Sequence, residues 1–422
     1  MKLQKILNRL QKLYPKEIDL SLDRIKILCE KLGNPQDEIK CIQVCGTNGK
    51  GSTISFLRSI LREANIKCNI YSSPHVKRIN ERFIYNDEMI TDDALVDLLS
   101  EIEEINDGQP LTYFEALTAT FFHGCRKHKE NLVLAEFGLF GRVDAVNILK
   151  KNLCNIVTSC SEDHLDWLPK NERTIERIIF EKTSSLLNSN IIVARQTSNE
   201  ITECIKKNIS NNRANKYFFN ENYNFVLKEN DFFYYEDKYG GLKIPKPSMN
   251  GQFQLENAST AIATLRILED LKIKDAQIIS GVKKAYNLAR LEEIKSGKLK
   301  DLIKNNTFIL DSSHNPGGSK VLNEYLQTLN CKKHVIIGMM ANKNHEKFIS
   351  YFKDISSLTV VGIPSQKNAI SGIKLKEKFK NFPNLNYKES IEQAIKSLPL
   401  EQNDVVLITG SIYLAGEVLN QN

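Results

Sequence analysis

The stretch CIQVCGTNGKGSTISFLRSIL, residues 41–61, joins an apolar run to an amphipathic run through a glycine-rich turn. The apolar and β-branched residues that end at Cys45 are typical of a buried strand. Beyond the turn, Ile54, Leu57 and Leu61 recur at helical spacing. A strand followed directly by a helix is the repeating unit of α/β proteins with a parallel sheet.

The turn itself has the composition of a loop that wraps around phosphate. Its glycines let backbone N–H groups face a phosphate chain, and the following helix N-terminus adds the positive end of its dipole. Lys50 supplies a point charge, and Ser52 supplies a hydroxyl of the kind that ligates Mg²⁺. The residues predicted to hold phosphate are Gly46, Thr47, Asn48, Gly49, Lys50, Gly51 and Ser52.

The position of Lys50 narrows the class of protein. The common P-loop reads G-x-x-x-x-G-K-[ST], whereas here Lys50 stands between Gly49 and Gly51. This spacing disfavours an ordinary GTPase or small-molecule kinase. A tight strand-to-helix turn that binds no ligand is the structural alternative.

Strand-like runs alternate with helix-length amphipathic segments along most of the chain. Residues 224–244 differ because they are strand-rich without an intervening helix, which predicts a small antiparallel excursion. We predict an α/β protein with a P-loop domain and mostly parallel sheet over residues 1–295, and a C-terminal Rossmann-like α/β domain over 296–422. The polar segment 296–300 is the predicted linker. The predicted parallel strands are 39–45, 131–137, 155–159, 191–194, 307–311, 334–339, 358–363 and 404–409.

Composition and charge limit the classes of protein to which the chain can belong. The 422 residues are 41% hydrophobic and 26% charged with a net charge of +7, the ordinary mix of a soluble globular chain. No dense Lys/Arg run indicates a nucleic-acid surface, and no apolar run is long enough to span a membrane. No secretory signal is recognised, and nine cysteines without a CxxC pair favour a reducing compartment. We therefore expect a cytoplasmic monomer without nucleic-acid or membrane partners.

Polar residues follow two of the predicted strands. Glu136 lies near the end of one strand, and His164 follows the next. In open α/β sheets ligands bind outside the carboxyl ends of the strands, so both residues should converge on the glycine-rich loop. Together with Ser52 they form a donor set that suits Mg²⁺. A solvated strand end is the simpler explanation for Glu136 taken alone.

A similar arrangement recurs in the second half of the chain. FILDSSHNPGG, residues 308–318, ends a strand with an acid, a histidine and a tight turn. Arg290, Asp311 and His314 are therefore candidates to contact a nucleotide from the other side of a cleft. The alternative is a turn with a helix cap and no ligand.

These motifs resemble, in order as well as content, the bifunctional bacterial members of the folylpolyglutamate synthase/dihydrofolate synthase family, within the Mur ligase superfamily. The similarity runs nearly end to end. The motifs that carry it are GTNGKGS (46–52), YSSPHVKRINER (71–82), LTYFEALT (111–118), EFGLFGRVDAVN (136–147), DHLDWL (163–168), EK (181–182), GQFQLENA (251–258), DSSHNP (311–316) and GSIYLAGE (410–417).

The resemblance implies an ATP site with two magnesium ions. The loop from Gly46 to Ser52 would hold the ATP phosphates. Lys182 matches a lysine that is carbamylated in the family, and a carbamate there would help to position the second magnesium. An ordinary surface lysine is the alternative. The positions that match nucleotide contacts are Asn257, Arg290, Asp311 and His314. Those that match metal ligands are Ser52, Ser73, Glu136 and His164. The implied catalytic residues are Lys50, Lys182 and His314.

The resemblance also implies a pterin site. A flat pterin needs an apolar face, which Phe114 can supply, and polar groups at its edge, which Thr112 and Asp144 can supply. Ala145 completes the matching positions. The structural alternative is that Thr112 only caps a helix, with Glu115 closing a capping box. Phe140 and Val146, beside this site, depart from the usual family residues.

The implied activity is ATP-dependent amide ligation. A substrate carboxylate takes a phosphoryl group from ATP to give an acyl phosphate, and the amine of L-glutamate then displaces phosphate. The implied substrates are dihydropteroate and reduced folates. The alternatives are a monofunctional folylpolyglutamate synthase, another Mur-type amino-acid ligase such as a cell-wall UDP-sugar ligase, a nucleotide-dependent switch or kinase, and an inactive ATP-binding regulator.

Overall fold

The computed structural model describes residues 2–14, 19–229 and 231–422. Their contacts divide the chain into two compact units. The first unit comprises Met1–Cys160, Thr174–Lys246 and Glu256–Ala285, and the second comprises Ser161–Arg173, Pro247–Leu255 and Tyr286–Asn422. The division into domains 1–295 and 296–422 stays a prediction.

An eight-stranded sheet forms the centre of the first unit. Its strands are β1 (Lys40–Cys45), β2 (Cys68–Tyr71), β3 (Phe83–Tyr85), β4 (Glu88–Met89), β5 (Leu132–Glu136), β6 (Cys154–Val157), β7 (Asn190–Val193) and β8 (Lys216–Phe218). They lie in the order β4-β3-β2-β5-β1-β6-β7-β8, and all pairs are parallel except those of β3 with β2 and β4. The predicted α/β class with a mostly parallel sheet is confirmed.

A separate three-stranded antiparallel sheet follows in the same unit. It consists of β9 (Tyr223–Glu229), β10 (Phe232–Asp237) and β11 (Gly240–Pro245), with β10 in the centre. The side chains of Phe233, Tyr235 and Ile244 are fully buried, which explains why alternate residues of this segment are apolar. The predicted antiparallel excursion is confirmed.

Helices α3 (Lys50–Glu63) and α5 (Tyr113–Cys125) pack against strands of the large sheet. In α3 the predicted apolar positions Ile54, Leu57 and Leu61 are all buried. Helix α5 is buried along most of its length, and its sequence is accordingly apolar on nearly every face. The helices are α1 (Lys2–Leu10), α2 (Asp23–Lys31), α3 (Lys50–Glu63), α4 (Asp92–Asn106), α5 (Tyr113–Cys125), α6 (Ile175–Thr183), α7 (Asn199–Asn208), α8 (Phe253–Ile267) and α9 (Asp275–Lys284).

The second unit is a six-stranded α/β sheet of order β12-β13-β17-β14-β15-β16, with only β12 antiparallel to its neighbour. Asn315 caps α11 through a hydrogen bond from the amide of Gly318, and Pro316 takes the first helical position. The strands are β12 (Glu292–Glu293), β13 (Thr307–Leu310), β14 (Lys333–Ile337), β15 (Ser357–Val360), β16 (Leu385–Tyr387) and β17 (Val405–Thr409). The helices are α10 (Lys298–Asp301), α11 (Pro316–Gln327), α12 (His345–Ile349), α13 (Gly372–Lys378), α14 (Ile391–Lys396) and α15 (Ile412–Gln421).

In the described ranges all nine cysteines are free thiols, and seven of them are buried. None of the helices in those ranges combines the length and apolar character needed to cross a membrane.

Candidate active site

The glycine-rich loop lies at the carboxyl edge of the large sheet, between β1 and α3. Gly46 and Gly49 have φ values of 129° and 91°, a region that only glycine adopts readily. A Cβ at Gly46 would lie 2.1 Å from the hydroxyl oxygen of Thr158, and one at Gly49 would lie 2.5 Å from the amide oxygen of Asn257. Both glycines are therefore required by backbone conformation and by close neighbours. Asn257, which is predicted to contact the nucleotide, therefore lies beside the loop.

The loop amides are divided between two tasks. The N–H groups of Thr47 and Asn48 donate to the carbonyl of Ser159, at 2.9 and 3.0 Å, and tie the loop to the segment after β6. The amides of Lys50, Gly51 and Ser52 belong to the first turn of α3 and have no acceptor within the helix. Thr47 and Asn48 therefore shape the loop, and phosphate binding by the amides at the helix start stays a prediction.

Lys50 and Glu136 face each other across the same edge. The register of β1 against β5 places Val44 opposite Glu136, so the end of β5 adjoins the start of the loop. Lys50 Nζ lies 3.8 Å from one oxygen of Glu136, and the other oxygen accepts a hydrogen bond of 3.3 Å from the amide of Ser73. Glu136 is only 7% exposed. It is not a solvated strand end but a buried carboxylate beside the loop.

Lys182 is buried against the back of this loop. It lies near the end of α6 and is 2% exposed. Its Nζ donates to the carbonyls of Gly46 and Leu139, at 3.0 and 2.9 Å, and lies 5.9 Å from the centre of the Phe140 ring. The alternative of an ordinary surface lysine is therefore wrong. Its carbamylation stays a prediction.

The predicted pterin-side residues Thr112 and Phe114 lie at the start of α5. The Thr112 hydroxyl accepts from the amide of Glu115, and the Glu115 carboxylate accepts from the amide of Thr112, which confirms the capping box. Thr112 is buried, and its hydroxyl accepts the hydrogen bond of the helix cap. Its contact with the edge of a pterin therefore stays a prediction. Phe114 is half-buried, with the Arg82 guanidinium 5.3 Å from its ring centre.

Asp144 organises the loop that follows β5. One of its oxygens accepts from the amides of Gly138 and Leu139, and the other accepts from the amide of Val146. Burial raises the pKa of Asp144, although these three amides and Lys182 act in the opposite direction. Ala145 begins the 3₁₀ turn that Asp144 caps. Asp144 thus has a clear structural role, and its contact with pterin stays a prediction.

The YSSPHVKRINER segment contributes a buried residue that was not expected as part of the site. Arg82 is 4% exposed, and its Nε donates to Nδ1 of His75 at 3.0 Å. Burial and the Arg82 charge lower the pKa of His75 to about 4. The only sequence signal for Arg82 was its place in a matched motif.

In the second unit the predicted residue His314 lies beside Asp163. This buried carboxylate accepts from Lys343 Nζ at 2.6 Å and from the Asn315 amide group at 3.2 Å, and His314 Nε2 lies 3.3 Å away. Burial would raise the pKa of Asp163, but the charges of His164, His314 and Lys343 and the hydrogen bond to His314 hold it well below its usual range. Lys343 was not expected from the sequence, because it lies in no recognised motif.

Asp311 holds the turn that carries Arg290. Its two oxygens accept from the amides of Leu291 and Ser313, at 3.0 and 2.8 Å. Ala289 and Leu291, on either side of Arg290, both have φ near +50°. Arg290 therefore projects from a strained turn that a buried acid stabilises. Its contact with nucleotide stays a prediction.

Of the four predicted metal ligands, Ser52, Ser73 and Glu136 belong to the first unit and His164 to the second. Within the described residues, no three His, Cys, Asp or Glu side chains come together as a metal site. A divalent ion here would therefore need hydroxyl and phosphate oxygens as well as Glu136. Such hard oxygen donors suit Mg²⁺ and Mn²⁺.

This chain is similar to known protein families and to a protein of known name over nearly its whole length. Residues 44–265 match the Mur ligase middle domain, and residues 289–412 match the glutamate ligase domain of Mur ligases. The chain is 30% identical to a dihydrofolate synthase/folylpolyglutamate synthase of Haemophilus influenzae, over 97% of this chain and 95% of that protein.

Two solved structures are similar over nearly their whole length. FolC of Escherichia coli in complex with DHPP and ADP gives a TM-score of 0.87 at 27% identity, over 99% of this chain and 97% of that chain. A bifunctional folylpolyglutamate synthase/dihydrofolate synthase of Yersinia pestis, complexed with AMPPNP and Mn ion, gives a TM-score of 0.86 at 25% identity, with the same coverage.

Proposed function

The chain belongs to the Mur ligase family, in its dihydrofolate synthase/folylpolyglutamate synthase branch, and from this premise we propose that it joins L-glutamate to dihydropteroate and to reduced folates at the expense of ATP. The first reaction makes dihydrofolate, and the second lengthens the glutamate tail of a folate. Both reactions form an amide between a substrate carboxylate and the α-amine of glutamate.

The observation that carries the proposal is the meeting of Lys50, Glu136 and the first turn of α3 at one edge of a parallel sheet. Lys50 Nζ and the helix amides suit phosphate, whereas the Glu136 carboxylate, 3.8 Å from Lys50, suits a divalent cation bound to that phosphate. A glycine-rich loop alone serves many nucleotide-binding proteins. The buried acid beside it supports phosphoryl transfer.

The oxygen donors on this edge fit a divalent ion. We propose Ser52, Ser73 and Glu136 as ligands from the first unit, and His164 as the ligand that the family resemblance adds. When bound, such an ion offsets negative charge on the transferring phosphoryl group. A carbamate on Lys182 that supports a second ion is part of the same proposal.

The chain's own residues act mainly by position and charge. Lys50 and the amides of α3 stabilise the charge that builds on the phosphoryl oxygens while a substrate carboxylate oxygen attacks the γ-phosphorus and ADP leaves. The α-amine of L-glutamate then attacks the acyl carbon of the acyl phosphate, and phosphate leaves as the amide forms. The role of His314 as the base that takes the amine proton stays a prediction, because its Nδ1 lies 3.0 Å from the carbonyl of Ser312 and its Nε2 lies 3.3 Å from Asp163, so both ring nitrogens face acceptors.

Phosphate release by the purified protein tests the proposal. ATP and magnesium are supplied with dihydropteroate, with L-glutamate, with both or with neither, and the same series is repeated with a reduced folate in place of dihydropteroate. We expect release only when both are present, with one phosphate for each amide formed. Release that ignores both substrates would indicate a nucleotide-dependent switch. Release with a reduced folate but not with dihydropteroate would indicate a monofunctional folylpolyglutamate synthase.

A cytoplasmic location and a monomeric state stay predictions from the sequence. Sedimentation of the purified protein tests the second of them.

A further inference from the structure

Arg82 places a buried positive charge beside the predicted pterin-side residues. The side chain is 4% exposed, its Nε donates to His75, and its Nη1 has no hydrogen-bond partner in the described part of the chain. Arginine stays protonated in proteins, so this guanidinium carries its full charge. A buried donor of a charged group left without an acceptor is strongly unfavourable.

Other arginines of the first unit pair with buried carboxylates. Arg24 contacts Glu115, and Arg142 contacts Glu181, each at 3.0 Å or less between nitrogen and oxygen. Among the described residues no carboxylate forms such an ion pair with Arg82, and the side chain that accepts from its Nε is a neutral imidazole. Within the part of the chain that the structure describes, Arg82 thus has no counter-ion.

The surroundings of Arg82 indicate which anion would fit. Its guanidinium lies 5.3 Å from the centre of the Phe114 ring, and it contacts His75 in the loop that carries Ser73. The amide of Ser73 in turn contacts Glu136. Arg82 therefore lies between an aromatic ring and the loop at the phosphoryl-transfer edge. An aromatic acid is the class of ligand that such neighbours would recognise.

We propose that Arg82 binds a carboxylate of the pteridine-bearing substrate. A carboxylate accepts two parallel hydrogen bonds from a guanidinium, which would satisfy Nη1 and neutralise the charge. This inference rests on the proposed function, which supplies such a substrate. Dihydropteroate has one carboxylate, the one that reacts, whereas a folate carries two on its glutamate.

The test compares two probes, pteroic acid and its primary carboxamide, which differ mainly in charge. We expect the wild-type protein to bind the acid about 10- to 100-fold more tightly, and Arg82→Gln to reduce this ratio to about 1. Arg78→Gln is the matched control. Arg78 lies in the same segment, but its side chain is 50% exposed and paired with Asp92, so the wild-type ratio should persist.

Equal binding of the two probes by the wild-type protein would overturn the inference, and so would a preference that survives in Arg82→Gln. If thermal melting shows that Arg82→Gln does not fold, Arg82→Met replaces it, since methionine keeps the apolar stem. The ratio of the affinities of the wild-type protein for the two probes is measured without any variant. Steady-state kinetics provide a second test. A rise in KM for both dihydropteroate and tetrahydrofolate would support the assignment, and a rise for tetrahydrofolate alone would contradict it, since pteroic acid carries only the carboxylate that reacts.

A rise confined to the KM of L-glutamate would contradict the proposal. Failure of the proposed function can be distinguished from failure of this inference. If the wild-type protein releases no phosphate with either dihydropteroate or tetrahydrofolate, the proposed function is wrong whatever Arg82 does. Normal turnover with an unchanged probe ratio in Arg82→Gln removes only the role of Arg82.

Discussion

Lys182 Nζ donates a 3.0 Å hydrogen bond to the carbonyl oxygen of Gly46, the first residue of the glycine-rich loop. A second bond of 2.9 Å goes to the carbonyl of Leu139. Carbonyl oxygens only accept, so both contacts require N–H donors on Lys182. The two oxygens of a carbamate could not replace these donors. A carbamate keeps one N–H on Nζ, so carbamylation would leave at most one of these two hydrogen bonds and would add an anionic group beside the loop.

Replacement of Lys182 tests whether a carbamate on its side chain contributes to activity. We expect Lys182→Ala to lose almost all activity and to be partly rescued by acetate, since a small carboxylate can replace a missing carbamate. Wild-type activity should also depend on bicarbonate after CO₂ is removed. Phosphate release measures both effects, with the exposed Lys151→Ala as control. An active Lys182→Ala variant and a bicarbonate-independent wild type would show that Lys182 only supports the loop.

Lys50 should affect turnover more than folding. Its ammonium is partly buried beside Glu136 and near the predicted phosphate path. Charge aimed at a developing phosphoryl charge is typically worth about 10²–10³ in kcat. We expect Lys50→Ala to lower kcat by about that factor, whereas the exposed Lys129→Ala leaves it unchanged. Steady-state kinetics with ATP as the varied substrate measures the effect, and a near-wild-type kcat would remove Lys50 from the phosphate site.

Gly46 should tolerate no side chain. Alanine there would meet the Thr158 hydroxyl at 2.1 Å and its backbone at 3.1 Å, in addition to the strain of a positive φ. Gly240 is the matched control, because its φ of 107° is similar and a Cβ at that position would have no neighbour within 4 Å. We expect Gly240→Ala to lower the free energy of unfolding by about 1–2 kcal/mol and Gly46→Ala by more than about 3 kcal/mol. Urea unfolding measures both, and equal losses would contradict the packing argument.

The local elements of this fold could be predicted because their causes lie within a few residues of sequence. The strand, turn and helix around the glycine-rich loop follow from adjacent apolar periodicity and from glycine content. The capping box of Thr112 and Glu115 follows from a spacing of three residues. The antiparallel excursion follows from alternation between turn signals.

The remaining site contacts could not be predicted, since they join distant segments. Lys343 and Asp163 are 180 residues apart and meet only through tertiary packing. Composition indicated that the loop turns its amides outward. It could not reveal that Thr47 and Asn48 use theirs to bind Ser159. The family resemblance covered both motifs of the Asp163 cluster but not Lys343, because no motif contains it.

The ion pair of Lys343 with Asp163 should stabilise the second unit. Both side chains are largely buried, so removal of the cation leaves a buried carboxylate with fewer partners. We expect Lys343→Met to lower the free energy of unfolding by about 2–4 kcal/mol. Lys347→Met is the control, since its pair with Glu162 is exposed and should matter by less than about 0.5 kcal/mol. Chemical unfolding compares the two, and similar losses would contradict a special role for Asp163.

Phe114 should determine affinity for the pteridine-bearing substrate. Its half-buried ring starts α5, and the Arg82 guanidinium lies 5.3 Å from its centre, so the aromatic ring and the charge form one unit. Loss of the ring removes the apolar surface on which a flat pterin can stack, worth about 0.5–1.5 kcal/mol. We therefore expect Phe114→Ala to raise the KM of dihydropteroate by about 3- to 10-fold, with the KM of ATP changed by less than about 2-fold.

Phe180 provides the matched control for Phe114. Its ring also has an arginine, Arg177, 5.3 Å from its centre, but it lies on the exposed side of α6. Phe180→Ala should therefore leave both KM values unchanged, which separates loss of any arginine–aromatic pair from loss of the substrate contact. Steady-state kinetics with dihydropteroate and then with tetrahydrofolate measures the effect. If Phe114→Ala and Phe180→Ala behave alike, Phe114 belongs to the helix start and not to the substrate site.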